Sequence, residues 1–316
     1  MRVVIVGAGS LGSAIGGLLG LSGHSVVLVT RNTAHVTAIA NAGGVWLDDG
    51  AERVLAPVAA ATDYGPVGVV DLAVVLVKSF DTVDAVRAAL PSLGVDTVVL
   101  SLQNGVGCED LISDVVGRQR VVAGRTFIGG RLIEPGVVEY GVTGRQTTIG
   151  ELDGRRTERV VELAAVFDRA GMAASVSDDI RVTMWEKLFV NVATGAWSAL
   201  TGLPYGELSA EPTIAQSAVA TVAEAIAVAR SLGVAIVTTD PQVPWRRAWE
   251  GLPYGFKASM LQSVEKGSRT EVDVIHGAVI RGGLEAGIPT PINDTLYAAV
   301  KGLERRLALR SKTPNS

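Results

Sequence analysis

The chain has 316 residues, 48% hydrophobic and 19% charged, and its 28 Lys and Arg against 32 Asp and Glu give a net charge of −4. This composition excludes a disordered chain, which requires low hydrophobicity and high net charge. A mildly acidic chain without a long basic run also argues against nucleic acid as a partner. The length predicts two domains. The single cysteine, Cys108, cannot form an internal disulfide, so a cytoplasmic protein is the simplest expectation.

Short runs rich in Val and Ile alternate with helical stretches in the first half of the chain. Continuous apolar runs of strand length are typical of parallel strands that are covered on both faces. The alternation predicts an α/β Rossmann-type domain with a doubly wound parallel sheet over residues 1–177. The predicted strands are Arg2–Val6, Ser25–Thr30, Leu72–Val77 and Thr97–Leu102, and the predicted helices are Ser10–Ser22, Thr82–Leu90 and Thr157–Ala170.

Two further segments of the first half need an interpretation. Val137–Tyr140 and Gln146–Ile149 flank a Gly-Val-Thr-Gly sequence and predict a β-hairpin at the sheet edge. Val3–Leu21 is apolar enough to suggest a signal peptide or a membrane span. Its recurring glycines and the second apolar run that follows favour a βα unit instead, so we expect no membrane association.

After Ser177 the strand pattern stops, and the second half predicts an all-α helical domain over residues 178–316. Glycines just past the predicted ends and Pro212 in a first turn are the usual helix boundaries. The apolar faces are sufficient for a homodimer, but the oligomeric state stays open. The predicted helices are Asp178–Ala199, Pro212–Leu232, Thr270–Glu285 and Asp294–Leu309.

A glycine-rich loop follows the first predicted strand and opens the first predicted helix. In this context G-x-G-x-x-G has a mechanism, because the glycines permit a tight turn and close approach of a pyrophosphate to the helix N-terminus. The motif therefore predicts a dinucleotide site rather than a simple tight turn. The candidate cofactor-binding residues are Gly7, Ala8, Gly9, Ser10, Leu11 and Gly12.

The end of the second predicted strand indicates which dinucleotide binds. An NAD site usually has a carboxylate there that accepts from the ribose 2′-hydroxyl, whereas this chain has Thr30, Arg31 and Asn32. A guanidinium suits a 2′-phosphate, which it can bind through two hydrogen bonds. Arg31 therefore favours NADP (NADPH) as the cofactor, with a solvated loop arginine as the alternative.

Polar residues also follow two other predicted strands, at the strand ends where ligands bind in open α/β sheets. Lys78 has the charge to neutralise a cofactor phosphate, and Asn104 offers donors and an acceptor to a nicotinamide or a substrate. The alternative for Asn104-Gly105 is a simple turn.

The helical half contains two candidate polar sets. Lys187 and Asn191 lie one turn apart on the same helix face, where a partly desolvated lysine can act as a general acid, although most helical lysines extend to solvent. Thr270 and Glu271 are also compatible with ordinary first-turn helix chemistry. The second set consists of Thr270 and Glu271 together with an earlier segment, Ser259, Met260, Leu261 and Gln262.

Together these segments resemble the ketopantoate reductase (2-dehydropantoate 2-reductase) family over nearly the whole chain. The resemblance is specific because the motifs occur in the family's order and spacing. It rests on the Gly7–Gly12 loop, Val77-Lys78-Ser79, Gln103–Gly107, Lys187–Asn191, Ala199–Gly202, Ser259–Gln262, Thr270–Asp273 and Gly287–Pro291.

The resemblance implies reduction of a 2-oxo acid by NADPH. Lys187 is implied to protonate the carbonyl oxygen as it becomes an alkoxide, and Glu271 to anchor the cofactor or orient Lys187 as a second catalytic residue. Asn104 is implied to lie between nicotinamide and substrate. The implied substrate-binding residues are Asn104, Lys187, Asn191, Ser259, Met260, Leu261 and Gln262, and the three scattered histidines predict no metal site.

Three positions depart from the family pattern. Gly195 and Tyr205 stand where the family commonly has asparagines, and His276-Gly277 stands where it often has Asn-Gly. Gly195 is expected to leave empty space, and Tyr205 adds aromatic surface. The hypothesis is a 2-oxo acid that is bulkier or more apolar than ketopantoate. The alternatives are a reductase of the same architecture acting on an imine or a 3-hydroxy acid, and a non-catalytic NADP-binding sensor.

Overall fold

The computed structural model describes residues 1–141 and 146–310. They form two compact units. The first comprises Met1–Gln103 and Cys108–Ile180, and the second comprises Asn104–Gly107 and the described chain from Arg181 onward. The grouping of Asn104–Gly107 with the helices was not expected from the sequence. The assignment of cofactor binding to residues 1–177 and substrate binding to residues 178–316 stays a prediction.

The first unit is built on an eight-stranded sheet in the order β12-β11-β8-β7-β6-β1-β2-β5. Among its described strands every neighbouring pair is parallel except β8 with β11. A second sheet has the order β4-β3-β10-β9. The strands are β1 (Arg2–Val6), β2 (Ser25–Val29), β3 (Val45–Asp48), β4 (Arg53–Ala56), β5 (Ala59–Ala61), β6 (Val70–Val75), β7 (Leu93–Ser101), β8 (Val121–Thr126), β9 (Gly129–Glu134), β10 (Val137–Gly141), β11 (Thr147–Glu151) and β12 (Ala174–Val176).

This topology confirms the Rossmann-type prediction. The order β5-β2-β1-β6-β7-β8 corresponds to the 3-2-1-4-5-6 order of a dinucleotide-binding sheet. The chain reverses direction across the sheet between β1 and β6, and ligands bind at the carboxyl ends of the strands at such a switch point. The loops that follow β1 and β6 are therefore where a ligand is expected.

The predicted hairpin is wrong. β10 pairs with β3 and β9 in the smaller sheet, whereas β11 pairs with β8 and β12 in the larger one. β10 thus joins its neighbour in sequence, β9, and the distant β3, so it belongs to a different sheet from β11. Residues 142–145 of the expected turn lie outside the described residues.

The first helix of the unit lies between the two sheets. A Cβ at Gly16 would press on Leu28 and Ile5 of the larger sheet, and a Cβ at Gly17 would press on Leu47 of the smaller one. Several glycines of this helix therefore provide close packing on both faces. The helices of the unit are α1 (Ser10–Leu21), α2 (Thr33–Ala42), α3 (Thr82–Ala89), α4 (Cys108–Val116) and α5 (Glu158–Arg169).

The second unit is helical, as predicted, and its apolar core is built on α6, α8 and α11. The prediction of a helix from Thr270 is wrong at its start, because Glu271–Ile275 form turns and the helix begins at His276. Its helices are α6 (Ile180–Thr201), α7 (Tyr205–Ala210), α8 (Pro212–Ser231), α9 (Gln242–Trp249), α10 (Ser259–Glu265), α11 (His276–Ala286) and α12 (Pro291–Arg310).

One described helix, α8, is long and apolar enough to cross a membrane by length and composition alone. Its residues Val222, Ala225 and Ile226 are buried in the core of the helical unit. A core helix passes the same test, so α8 does not indicate a membrane protein.

Candidate functional site

The glycine loop has the geometry that its sequence predicts. Gly7 has φ +99°, and a Cβ there would lie 2.6 Å from the backbone nitrogen of Val77. A Cβ at Gly12 would fall on the carbonyl oxygen of Gly7. Gly9 differs, because its Cβ would meet nothing within 4 Å. Gly7 thus permits the turn, Gly12 permits the close packing, and Gly9 leaves its backbone open to a ligand.

The loop presents backbone groups rather than side chains. Gly9 is the N-cap of α1, makes no side-chain cap, and the first turn has no acidic residue. The Ser10 Oγ accepts from the Leu132 backbone N–H at 3.0 Å, and Ala8 is buried. Because the N-terminus of a helix attracts negative charge through its N–H groups and its dipole, this end of α1 fits a pyrophosphate.

The loop after β6 lies on the other side of the switch point. Lys78 is exposed and precedes a 3-10 turn, Ser79–Asp81. The buried Gln103, which follows β7, donates from Nε2 to the Val77 carbonyl at 2.9 Å and to the Thr82 Oγ1 at 2.8 Å. Gln103 therefore holds Val77 and Thr82, which lie on either side of Lys78. The sequence did not predict this role.

Arg31 follows β2, as predicted, but it already has an anionic partner. Its Nη2 donates to the Asp81 Oδ2 at 2.6 Å, and the side chains are 87% and 28% exposed. Arg31 is therefore accessible to a ligand but is not an isolated cation.

In the helical unit, Lys187, Asn191 and Gly195 follow one another at four-residue spacing along one face of α6. Lys187 and Asn191 are partly buried. The expected empty space at Gly195 is not present, because a Cβ there would lie 3.4 Å from the Met260 Cε. The Met260 methyl group thus makes this end of the face apolar.

The segment Ser259–Gln262 forms the start of α10 and divides into two kinds of residue. Met260 and Leu261 are buried. Ser259 and Gln262 are exposed, and the Gln262 Nε2 donates to the Lys257 carbonyl at 3.0 Å. Only the two polar residues of the segment are thus accessible to a ligand from outside.

Glu271 is buried in a turn that α12 holds on both sides. On one side, Thr270 donates from its backbone nitrogen and from Oγ1 to the Glu304 Oε1, both at 2.7 Å. On the other side, Asp273 accepts from the Tyr297 hydroxyl at 2.8 Å and from the Lys301 Nζ at 3.2 Å. These contacts hold the residues on either side of Glu271, and their partners on α12 are ones that the sequence did not single out.

The segment Asn104–Gly107 is joined to this same turn. The Val106 backbone N–H donates to the Val274 carbonyl at 2.9 Å, and Val274 in turn donates from its nitrogen to the Glu271 carbonyl at 3.2 Å. Gly105 has φ +86°, and a Cβ there would clash with Val274. The structure therefore brings the Asn104 loop and the Glu271 turn together within one unit.

His276, the third departure from the family pattern, lies in a buried polar network. Its Nδ1 donates to the Asn293 Oδ1 at 2.9 Å, since the Asn293 Nδ2 is itself the donor to Thr221 and Glu224. Its Nε2 has no hydrogen-bond partner among the described residues. Burial lowers the pKa of His276 to about 4, although the contact with Asn293 opposes the shift.

Tyr205, the second departure, reveals a repeat that sequence reasoning missed. The pentapeptide Gly-Leu-Pro-Tyr-Gly occurs at 202–206 and again at 251–255, and the two copies are adjacent. Tyr205 and Gly206 donate backbone hydrogen bonds to the carbonyls of Phe256 and Tyr254, both at 2.9 Å. The Tyr205 ring lies 5.8 Å from that of Phe256, and its hydroxyl is 3.5 Å from the Thr194 Oγ1 on α6.

The described residues contain no group of three or more His, Cys, Asp or Glu that could hold a metal ion. The sheet order and the open glycine loop define a Rossmann-type dinucleotide-dependent protein. The polar face of α6 and the buried Glu271 are a suitable second set of groups for an oxidoreductase.

Comparison with known proteins defines the family. The model of the Ketopantoate reductase PanE/ApbA family matches residues 3–154, and the model of the C-terminal part of that family matches residues 179–304. The chain therefore belongs to the ketopantoate reductase family. A 2-dehydropantoate 2-reductase of Halobacterium salinarum is 36% identical over 96% of this chain and 99% of the relative. A 2-dehydropantoate 2-reductase of Pyrococcus horikoshii is 34% identical over 96% and 98%.

Solved structures agree with this assignment. A PanE/ApbA family ketopantoate reductase from Ralstonia eutropha superposes with a TM-score of 0.87 at 35% identity, over 98% of this chain and 100% of that one. A D-mandelate dehydrogenase in complex with NADH and anilino(oxo)acetate superposes with a TM-score of 0.88 at 25% identity, over 98% and 100%. The chain is thus an oxidoreductase of a nicotinamide-dependent family.

Proposed function

We propose that the protein reduces a 2-oxo acid to the 2-hydroxy acid with NADPH in the cytoplasm, with Lys187 as the proton donor. The observation that carries the proposal is the face of α6, where Lys187 and Asn191 lie beside an apolar patch in a member of a reductase family. Assembly as a homodimer, without a nucleic-acid or membrane partner, remains a prediction from the sequence.

The residues of the first unit fit a nicotinamide dinucleotide. The open backbone at Gly9 and the uncapped start of α1 would hold the pyrophosphate. Arg31 would bind the 2′-phosphate, with Lys78 adding charge at the neighbouring loop. From the second unit, Asn104 and Glu271 would contact the nicotinamide end, and the bound cofactor would supply the hydride.

The residues of the helical unit would act on the substrate. Lys187 would donate a proton to the carbonyl oxygen, and its charge would stabilise the negative charge that develops there. Asn191, Ser259 and Gln262 would hydrogen-bond the carboxylate. Glu271, fixed by Thr270 and α12, would keep Lys187 oriented.

The apolar surroundings favour a substrate that is larger or more apolar than ketopantoate. The Met260 methyl lies beside Gly195, and Tyr205 with Phe256 supplies aromatic surface next to Thr194, the residue that precedes Gly195 on α6. A site without polar partners gains little from a substrate hydroxyl. The D-mandelate dehydrogenase with a similar fold binds anilino(oxo)acetate, an aromatic oxo acid, which supports the same substrate class here.

The proposal is tested by following NADPH oxidation across 2-oxo acids that include ketopantoate, 2-oxo-3-methylbutanoate and phenylglyoxylate. We expect the highest kcat/KM for a bulky or apolar substrate, and Gly195→Asn should shift the preference toward ketopantoate. A preference of the unaltered enzyme for ketopantoate would contradict the substrate assignment. Cofactor binding without oxidation of any substrate would favour the sensor.

The cofactor assignment has its own test. Arg31→Ala should raise the KM for NADPH about tenfold or more, the scale of one lost charge-assisted contact, and should change the KM for NADH much less. Equal effects on both cofactors would show that Arg31 does not bind the 2′-phosphate.

A further inference from the structure

The ion pair between Arg31 and Asp81 crosses the carboxyl end of β1. Arg31 follows β2, and Asp81 ends the 3-10 turn after β6, while β1 lies between these two strands. β2 and β6 are therefore separated by two strand spacings, about 10 Å. The guanidinium bridges this distance to reach the Asp81 Oδ2 at 2.6 Å. The pair thus lies at the end of the strand from which the glycine loop starts.

In this position Asp81 would compete with the cofactor 2′-phosphate. Both groups are anions that can bind the Arg31 guanidinium. Binding of NADPH requires Arg31 to leave Asp81 or to be shared with it, which leaves two like charges close together. NADH has no 2′-phosphate, so it leaves the pair between Arg31 and Asp81 intact.

We propose that Asp81 is a specificity-determining residue that weakens the preference for the 2′-phosphorylated cofactor by competing for Arg31, so that the protein binds both NADPH and NADH. This inference rests on the proposed role of Arg31 as the 2′-phosphate ligand. Asp81 acts on the adenosine end of the cofactor, so its effect is on cofactor choice and not on the proton transfer at Lys187.

The experiment measures the dissociation constants of NADPH and NADH for the full chain by fluorescence titration, without substrate. Asp81→Asn keeps the size of the side chain and removes its charge. We expect it to tighten NADPH binding about two- to fivefold, the scale of one largely exposed charge interaction, and to leave NADH binding nearly unchanged. The matched control is Asp84→Asn, which removes an exposed carboxylate in the first turn of α3 and should leave the ratio of the NADPH and NADH dissociation constants unchanged.

A double variant separates competition for Arg31 from simple repulsion. In an Arg31→Ala background, Asp81→Asn should have little effect on the NADPH to NADH ratio. An undiminished effect there, or weaker NADPH binding by Asp81→Asn alone, would overturn the proposal. Because binding is measured directly, the outcome does not depend on the substrate. If the protein reduced no 2-oxo acid, the proposed function would be refuted, but the binding titrations would still show whether Asp81 controls cofactor choice.

Discussion

The two units of the molecule present their candidate functional groups in different ways. In the sheet-containing unit, the open backbone at Gly9 and the uncapped N-terminus of α1 form the predicted pyrophosphate site, and side chains of the loop serve packing. In the helical unit, most backbone groups are hydrogen-bonded within helices, and the candidate groups are the side chains of Lys187, Asn191 and Glu271. A backbone site depends on a few glycines close in sequence, whereas a side-chain site depends on which helices meet.

The largest expected effect tests the side-chain half of this comparison. Lys187→Ala should lower kcat by about 10³-fold, within the range of general acid catalysis, because the developing alkoxide loses its proton donor. The dissociation constant of NADPH should change little. Steady-state kinetics and a binding titration measure the two quantities. Lys266→Ala, which removes an exposed lysine of the same unit, is the control, and a near-normal kcat for Lys187→Ala would remove Lys187 from catalysis.

The second prediction concerns how the helical unit stabilises its buried polar groups. His276 has a pKa of about 4 in the folded protein against 6.5 as its ordinary value. Below pH 6.5 the unfolded chain therefore binds a proton that the folded chain does not bind. The free energy of unfolding should fall as the pH falls from 6.5 to about 4, by about 3 kcal/mol from this residue.

Denaturant titrations at several pH values measure this dependence. His276→Asn removes the titrating group, and we expect its free energy of unfolding to depend less on pH over the same interval. The comparison is between slopes, because carboxylates in both proteins contribute equally. Parallel curves for the two proteins would show that His276 does not control acid stability.

The geometry of the glycine loop was predictable from the sequence because its determinants are local. The strand Arg2–Val6 was predicted at the bounds observed. The spacing of Gly7, Gly9 and Gly12 indicated which position needs a turn, which open space and which close packing. The doubly wound, mainly parallel sheet followed from the βα alternation. The pairing of β10 with β3 could not be predicted, because the paired residues Trp46 and Val137 are 91 positions apart in sequence.

The side-chain site was only partly predictable. Lys187 and Asn191 lie on one face of α6, as helical spacing predicts. The turn at Glu271 was mistaken for a helix, because Glu304 and Lys301 of α12 fix it through tertiary contacts. The junction between Asn104–Gly107 and Val274 is likewise a contact between distant segments. The repeated Gly-Leu-Pro-Tyr-Gly is visible in the sequence, but the contact between its two copies is a tertiary one.

The third prediction compares two glycines of the backbone site. Gly9→Val adds a side chain where nothing lies within 4 Å of the Cβ, so stability should fall by no more than about 1 kcal/mol, the cost of a poorer N-cap, while NADPH binding weakens about tenfold or more. Gly12→Ala places a Cβ on the Gly7 carbonyl oxygen and should cost about 1–3 kcal/mol of stability. Thermal melts and binding titrations separate the two effects. Equal loss of stability in both variants would contradict the distinct roles of the two glycines.

The smallest expected effect probes the support of Glu271. Glu304 accepts two hydrogen bonds from Thr270 and contacts Lys301 at 2.9 Å. Glu304→Gln keeps the shape but loses the charge, so both hydrogen bonds weaken and the free energy of unfolding should fall by about 1–2 kcal/mol. Because Thr270 adjoins Glu271, kcat/KM should also fall, by less than with Lys187→Ala. Glu265→Gln, which breaks the exposed pair with Lys257, should change neither quantity, since exposed pairs contribute little. A Glu304 variant with full activity would show that the position of Glu271 does not depend on α12.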